Sequence, residues 1–118
     1  MNKTYYQCGN GWHPIINAAI KLCENYCEKN DLIIQFDQIK EKFGYLNIYY
    51  TVLDKNDQKR IVLHMDYIKG VIDMAQLMSG NVCEFTGNPG KLYKKRGDKF
   101  GWWKTLCEEE AKKLGYTE

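Results

Sequence analysis

The sequence predicts one α+β domain, in which two main helices pack on a small, mostly antiparallel sheet. Apolar residues recur every three or four positions in two long segments and alternate with their neighbours in a third. The last third of the chain has the order of a turn, a hairpin and a helix. A length of 118 residues fits a single domain, and 44% hydrophobic residues supply a core.

The first helix is predicted to begin at His13, because Pro14 is tolerated in the first turn of a helix. Apolar residues then repeat along one face as far as Cys27, and the pattern ends near Lys29. Residues 32–36 are short and rich in β-branched side chains, which predicts a strand.

Residues 37–44 are expected to be helical. Asp37 is suited to cap one or two turns that carry Ile39 and Phe43, and the glycine that follows would end them. Residues 45–53 then alternate strictly between two faces, which is the strongest strand pattern in the chain.

The second helix is predicted over residues 61–78, where apolar side chains occupy one side, and Ser79 to Asn81 end it. Gly70 costs this helix about 1 kcal/mol relative to alanine. Near residue 80 the helical pattern ends, and the turn, hairpin and helix pattern of the last third of the chain begins. We therefore expect a single domain over 1–118, with a core at 1–80 and a zinc-finger-like unit at 81–118 docked on it.

The C-terminal unit has the order of a treble-clef zinc fold: a knuckle, a hairpin and a helix. Positions 83, 86, 107 and 110 have the spacing of its four ligands. Cys83 and Cys107 suit zinc, but Thr86 and Glu110 stand where cysteine or histidine is required. We predict a degenerate site without metal, both thiols being buried. A three-ligand zinc site of Cys83, Cys107 and Glu110 with water is the alternative.

A unit of roughly 40 residues without a metal buries too little surface to fold alone. We therefore expect its apolar side chains to join those of the two helices in a common core. These side chains are Val82, Phe85, Leu92, Leu106, Ala111 and Leu114.

Three stretches resemble a family of small phage and prophage proteins. They are Cys8 to Trp12, Gln38 to Gly44, and Gly87 to Leu92 with Gly101 to Cys107. The family carries an N-terminal Cys-Gly-x-Gly-Trp, a central Gln-x-Lys-Glu-Lys-Phe-Gly and a C-terminal Cys-x-x-Cys-Gly-x-Pro-Gly-Lys-Leu zinc motif. The resemblance implies a mobile-element origin and a treble-clef-like tail, and it transfers no activity.

The hairpin at 91–104 carries six cationic side chains against Asp98 alone, interleaved with aromatic rings. Phosphates would meet the cations and bases would stack on the rings, as in nucleic-acid grooves. The predicted binding residues are Lys91, Tyr93, Lys94, Lys95, Arg96, Lys99, Trp102, Trp103 and Lys104. The alternative is that the lysines are solvated and the rings belong to the core. Because the net charge is only +2, nucleic-acid binding would depend on this local patch.

Tyr49 is a candidate for contacts with a protein. The strand at 45–53 puts Tyr45 and Tyr49 on one face and Tyr50 on the other, and only one face must cover the core. Tyrosine is enriched at protein interfaces.

The first functional expectation is a non-enzymatic binding protein that inhibits a host bacterial defence system by binding a protein or sequestering a ligand. Nucleic-acid binding is the second expectation.

A small cysteine-dependent enzyme is the third alternative, with Cys8 as nucleophile and His13 as base. No spacing identifies a third orienting group or an oxyanion site, so we predict no catalytic residues. Cys23 and Cys27 could share a metal with Cys8, but burial is the favoured interpretation. We expect no cofactor. The odd count of five cysteines and the absence of a long apolar run predict a soluble, intracellular protein. The resemblance to phage proteins implies that this compartment is the cytoplasm of a bacterial host.

Overall fold

The computed structural model describes residues 5–95 and 103–116 and confirms the α+β class. Its helices are α1 (His13–Lys29), α2 (Asp66–Ser79) and α3 (Glu108–Leu114), and a 3-10 turn at Asn10–Trp12 precedes α1. Its strands are β1 (Tyr6–Gln7), β2 (Leu32–Lys42), β3 (Tyr45–Asp54), β4 (Lys91–Lys94) and β5 (Trp103–Leu106). The first three strands form one sheet in the order β1-β2-β3, and β4 pairs with β5.

The expectation of helical turns at 37–44 is wrong, because β2 continues through this segment and pairs antiparallel with β3. Ile39 lies opposite Ile48, and both side chains are buried. Phe43 and Gly44 form the turn, with φ angles of 53° and 86°. Positive φ at both central residues is the type I′ pattern, which matches the twist of a hairpin.

The helix α2 begins later than the predicted Ile61. Ile61 instead forms an antiparallel bridge with Leu53 beside β3. His64 has a φ of 63°, which is incompatible with a right-handed helix. The helix starts at Asp66, whose carboxylate favours the N-terminal end of the helix dipole. The predicted end of the helix near Ser79 is confirmed.

The apolar side chains form two clusters and not the expected common core. The first cluster lies between α1, α2 and the three-stranded sheet, and Val82 packs against it. The second lies between the β4-β5 hairpin and α3 and includes Leu106 and Ala111. Phe85 and Leu114 are 40% and 43% exposed, so they join neither cluster. The cysteines predicted to be buried are buried: Cys23 and Cys27 in the first cluster, Cys83 and Cys107 in the second.

Within the described residues, none of the helices combines the length and the apolar character that a bilayer span requires. The longest, α1, exposes polar or charged side chains together with the apolar Leu22. Its buried side chains are Ile16, Ala19, Cys23 and Cys27, which repeat every three or four positions on one face. The helix is therefore a surface helix with one covered stripe.

Candidate functional site

The three sequence motifs meet at one place, which we call the motif junction. It consists of Gly9, Gly11, Glu41, Gly44, Glu84 and Lys104. The Gly11 N–H donates to the Glu84 carbonyl at 2.7 Å, and Trp12 Nε1 donates to the Val82 carbonyl at 2.8 Å. A Cβ at Gly11 would collide with the Cys83 carbonyl. The N-terminal motif therefore packs directly on the knuckle, and glycine is required for that close approach.

Lys104 is the central charge of the motif junction. Its Nζ lies 3.1 Å from Glu84 Oε1 and 3.5 Å from Glu41 Oε2. Glu84 is only 2% exposed, and its Oε2 accepts the Gly9 N–H at 3.0 Å. Burial acts to lower the pKa of Lys104, but the two carboxylates outweigh it, so this pKa is raised. Lys104 therefore stays charged at neutral pH and ties the N-terminal, central and C-terminal segments together.

The motif junction also holds the β2-β3 turn. Glu41 Oε1 accepts the Gly44 N–H at 2.8 Å, and the Thr105 hydroxyl donates to the Gly44 carbonyl at 2.6 Å. A Cβ at Gly44 would collide with Leu92, so the turn lies tightly against the second sheet. The neighbouring Phe43 is left 63% exposed.

Lysine side chains lie over aromatic rings around this turn. Lys94 Nζ is 4.4 Å from the Trp103 ring centroid, and Lys42 Nζ is 5.9 Å from that of Phe43. The further pairs, at 5.4 to 5.9 Å, are Lys40 with Tyr49, Lys91 with Tyr93, Lys95 with Tyr116 and Lys104 with Phe85. Among the described residues, six lysines thus have Nζ within 5.9 Å of an aromatic ring centroid, the range in which a cation is attracted to the ring.

The predicted binding residues are distributed among different environments. Lys91, Lys94 and Lys95 are exposed, and Trp103 is partly buried. Tyr93 is a buried member of the second cluster, and Lys104 is engaged by two carboxylates, so neither offers a free surface to a ligand. Tyr49 is exposed on the side of β3 opposite the buried Ile48. Arg96, Lys99 and Trp102 lie outside the described residues.

Cys8 and His13 do not form an activated pair. Burial raises the pKa of the Cys8 thiol to about 11, and Glu84 adds to the rise. The thiol is therefore protonated at neutral pH and is a poor nucleophile. The His13 ring packs edge-on against Tyr6, with centroids 4.9 Å apart, and its buried Nε2 has no hydrogen-bond partner among the described residues.

The knuckle is a turn in which the Gly87 N–H donates to the Cys83 carbonyl at 3.0 Å, and Thr86 and Glu110 stand at two of the four predicted ligand positions. The Thr86 hydroxyl donates to Cys107 Sγ at 3.6 Å, and Glu110 pairs with a lysine of α3 at 3.8 Å. Burial acts to raise the pKa of Cys83, but hydrogen bonds from the Thr86 hydroxyl and from backbone N–H groups outweigh it and lower this pKa. In the described part of the chain, no three His, Cys, Asp or Glu side chains lie close enough to hold a metal.

A second exposed surface, the apolar helix face, lies on the outer side of α1 and α2. It consists of Leu22, Tyr67, Met74, Leu77 and Met78, all exposed. Tyr67 of α2 stacks on Tyr26 of α1 with ring centroids 4.4 Å apart, so the two helices present one continuous surface. The sequence analysis did not predict this face. Apolar residues cover a wider arc of α2 than the side of the helix that packs on the core.

No protein-family model, no curated protein and no solved structure matches this chain. The two exposed surfaces described above, the apolar helix face and the surface around Phe43, are therefore the basis of the functional proposals.

Proposed function

We propose that the chain is a small non-enzymatic binding protein that occupies the surface of a partner protein through the apolar helix face. The observation that carries this proposal is the exposure of Met74 and Leu77, which are 64% and 71% exposed in the middle and last turns of α2. Patches of about 300–600 Å² on monomeric proteins are often functional. Methionine and tyrosine are favoured at such surfaces because they offer adaptable or rigid apolar area.

The shape and the border of the apolar helix face suit an amphipathic helix of the partner. From Tyr67 to Met78 the face is about 16 Å long, which is about three helical turns. The neighbouring side of α2 carries Lys69 and Asp73, which form an ion pair at 2.7 Å. A partner helix with apolar residues at i, i+4 and i+7 would cover the face and leave this polar border in water.

The partner is proposed to be a host protein in the bacterial cytoplasm, and binding would blunt a defence system. This step is supported by the resemblance to phage and prophage proteins. The non-enzymatic character is supported by the protonated Cys8 thiol and by the contact of His13 with Tyr6.

The proposal is tested with a double substitution, Met74→Glu and Leu77→Glu. The partner is first isolated by affinity capture from the host and is then purified, and binding is measured by calorimetry with both pure proteins. We expect binding to weaken by about 100-fold, because burying an unpaired carboxylate in an apolar contact costs several kcal/mol. Circular dichroism would show that the variant keeps its helices.

The matched control reverses the ion pair on the polar side of the same helix, as Lys69→Glu with Asp73→Lys. This variant is expected to bind like the unmodified protein. The proposal is wrong if no captured protein binds in the purified system, or if the Met74→Glu, Leu77→Glu variant binds with unchanged affinity. An unchanged defence phenotype in Cys8→Ser and His13→Ala would agree with a non-enzymatic role.

A further inference from the structure

We propose that the surface around the β2-β3 turn binds single-stranded nucleic acid, with rings that stack on bases and lysines that contact phosphates. This turn platform consists of Lys42, Phe43, Lys94 and Trp103. The turn platform is separate from the apolar helix face, which lies on α1 and α2 and has no lysine among its five residues.

Phe43 is the first observation behind the proposal. Its φ of 53° is unfavourable for a bulky aromatic residue, and asparagine or glycine suits this position of the turn better. Its ring is exposed, so packing in the core does not explain the phenylalanine. Strained residues of this kind are retained where the side chain has a function.

The second observation is that Phe43 is presented rigidly. Gly44 is fixed by hydrogen bonds from its N–H to Glu41 and from Thr105 to its carbonyl. Glu41 is in turn paired with Lys104 at 3.5 Å. A ring held by such a scaffold loses little conformational entropy when it binds a ligand.

Trp103 and Lys94 lie on the same side of the second sheet as this turn. A Cβ at Gly44 would lie 3.4 Å from the backbone carbon of Trp103. Leu92 and Thr105 face the turn, and Lys94 and Trp103 occupy the next paired position on that side of the β4-β5 ladder. The turn that carries Phe43 therefore lies beside the backbone of Trp103, and each of the two rings has a lysine near it.

The charges favour a nucleic acid. In residues 5–95 and 103–116, Lys42 and Lys94 form no ion pair. The carboxylates that the motif junction brings near the turn, Glu41 and Glu84, share Lys104, so with Lys42 and Lys94 the local balance is three lysines against two carboxylates. Single-stranded nucleic acid offers a phosphate and a base face at every step, which matches alternating cations and rings. An acidic peptide would use the cations and leave the rings without a partner.

The test measures binding of a fluorescent deoxythymidine oligonucleotide of about 15 nucleotides by anisotropy. The main variant is Phe43→Asn, because asparagine tolerates positive φ and removes the ring. We expect its binding to weaken about 5- to 100-fold, while its unfolding temperature stays equal or rises. Tyr5→Ala, which removes an exposed ring outside both proposed surfaces, is the matched control and is expected to bind normally.

The lysines are tested with Lys42→Ala and Lys94→Ala together, against Lys112→Ala on α3 as the control. In titrations between about 50 and 200 mM salt, log affinity is plotted against log salt concentration. The magnitude of this slope should be smaller by about 1.4 in the double variant, which is about 0.7 for each lost phosphate contact. Three outcomes would overturn the proposal: absent or salt-independent oligonucleotide binding, undiminished binding by Phe43→Asn, or equally tight binding of polyglutamate.

Discussion

At the scale of single residues, the ion pair of Lys104 with Glu84 is the contact most sensitive to substitution. Glu84 is nearly fully buried, whereas exposed pairs such as Lys113 with Glu109 lie in water. Lys104→Ala would leave a buried carboxylate whose remaining hydrogen-bond donor, among the residues that the structure describes, is the Gly9 N–H. We expect the free energy of unfolding, measured by urea denaturation, to fall by about 3 kcal/mol or more.

Two further variants separate this buried pair from ordinary surface electrostatics. Lys113→Ala removes a lysine that contacts Glu109 and Glu110 at 3.8 Å on the surface of α3, and we expect a loss below about 1 kcal/mol. Adding Glu84→Gln to Lys104→Ala should recover part of the lost stability, because no buried charge remains. Similar losses from Lys104→Ala and Lys113→Ala would contradict the structural role of Lys104.

At the scale of elements, the parts of the fold that sequence predicted are those whose own residues decide the structure. The helix α1 has a start signal and a clear period, and β3 alternates without interruption. The second half of β2 was missed for two local reasons. A bulge near Asp37 breaks its alternation, and a Phe-Gly turn lacks the usual asparagine signal.

The site was predictable to the extent that it consists of local patterns. The prediction that the thiols of Cys83 and Cys107 are buried is confirmed. The role of Glu84 was not predictable, since its contacts with Gly9 and Lys104 join residues far apart in the chain. Contacts of this kind depend on how the elements pack and leave no periodic signal in the sequence.

The knuckle element itself yields a gain-of-function prediction. Cys83 and Cys107 are buried in one cluster, Thr86 Oγ1 lies 3.6 Å from Cys107 Sγ, and the positions unsuitable for zinc are Thr86 and Glu110. We expect Thr86→Cys with Glu110→His to bind one zinc ion per chain, measured by elemental analysis, and to unfold at a higher temperature with zinc than with chelator. A triple variant that also carries Cys83→Ser should bind zinc weakly, because it lacks one of the four ligands. Failure of the first variant to bind zinc would mean that the knuckle does not have ligand geometry.

At the scale of the whole molecule, the two apolar clusters differ in size and are joined by polar contacts of the motif junction. Among residues 5–95 and 103–116, the first has twelve buried members and the second has five, and a unit of about 40 residues without a metal rarely folds by itself. The stability of the second cluster should therefore depend on Lys104, on the Gly11 contact and on the bond from Trp12 to Val82. We expect both clusters to unfold in one transition.

Cysteine labelling provides a direct measurement of this coupling, because each cluster contains its own buried thiols. Cys23 and Cys27 report on the first cluster, and Cys83 and Cys107 report on the second. Short pulses of a thiol reagent along a urea series, read by mass spectrometry, should label all four with the same midpoint. Lys104→Ala should lower the midpoints of the second pair first, because it removes the charge that joins the clusters. Labelling of Cys83 and Cys107 at lower urea in the unmodified protein would instead show that the C-terminal unit opens by itself.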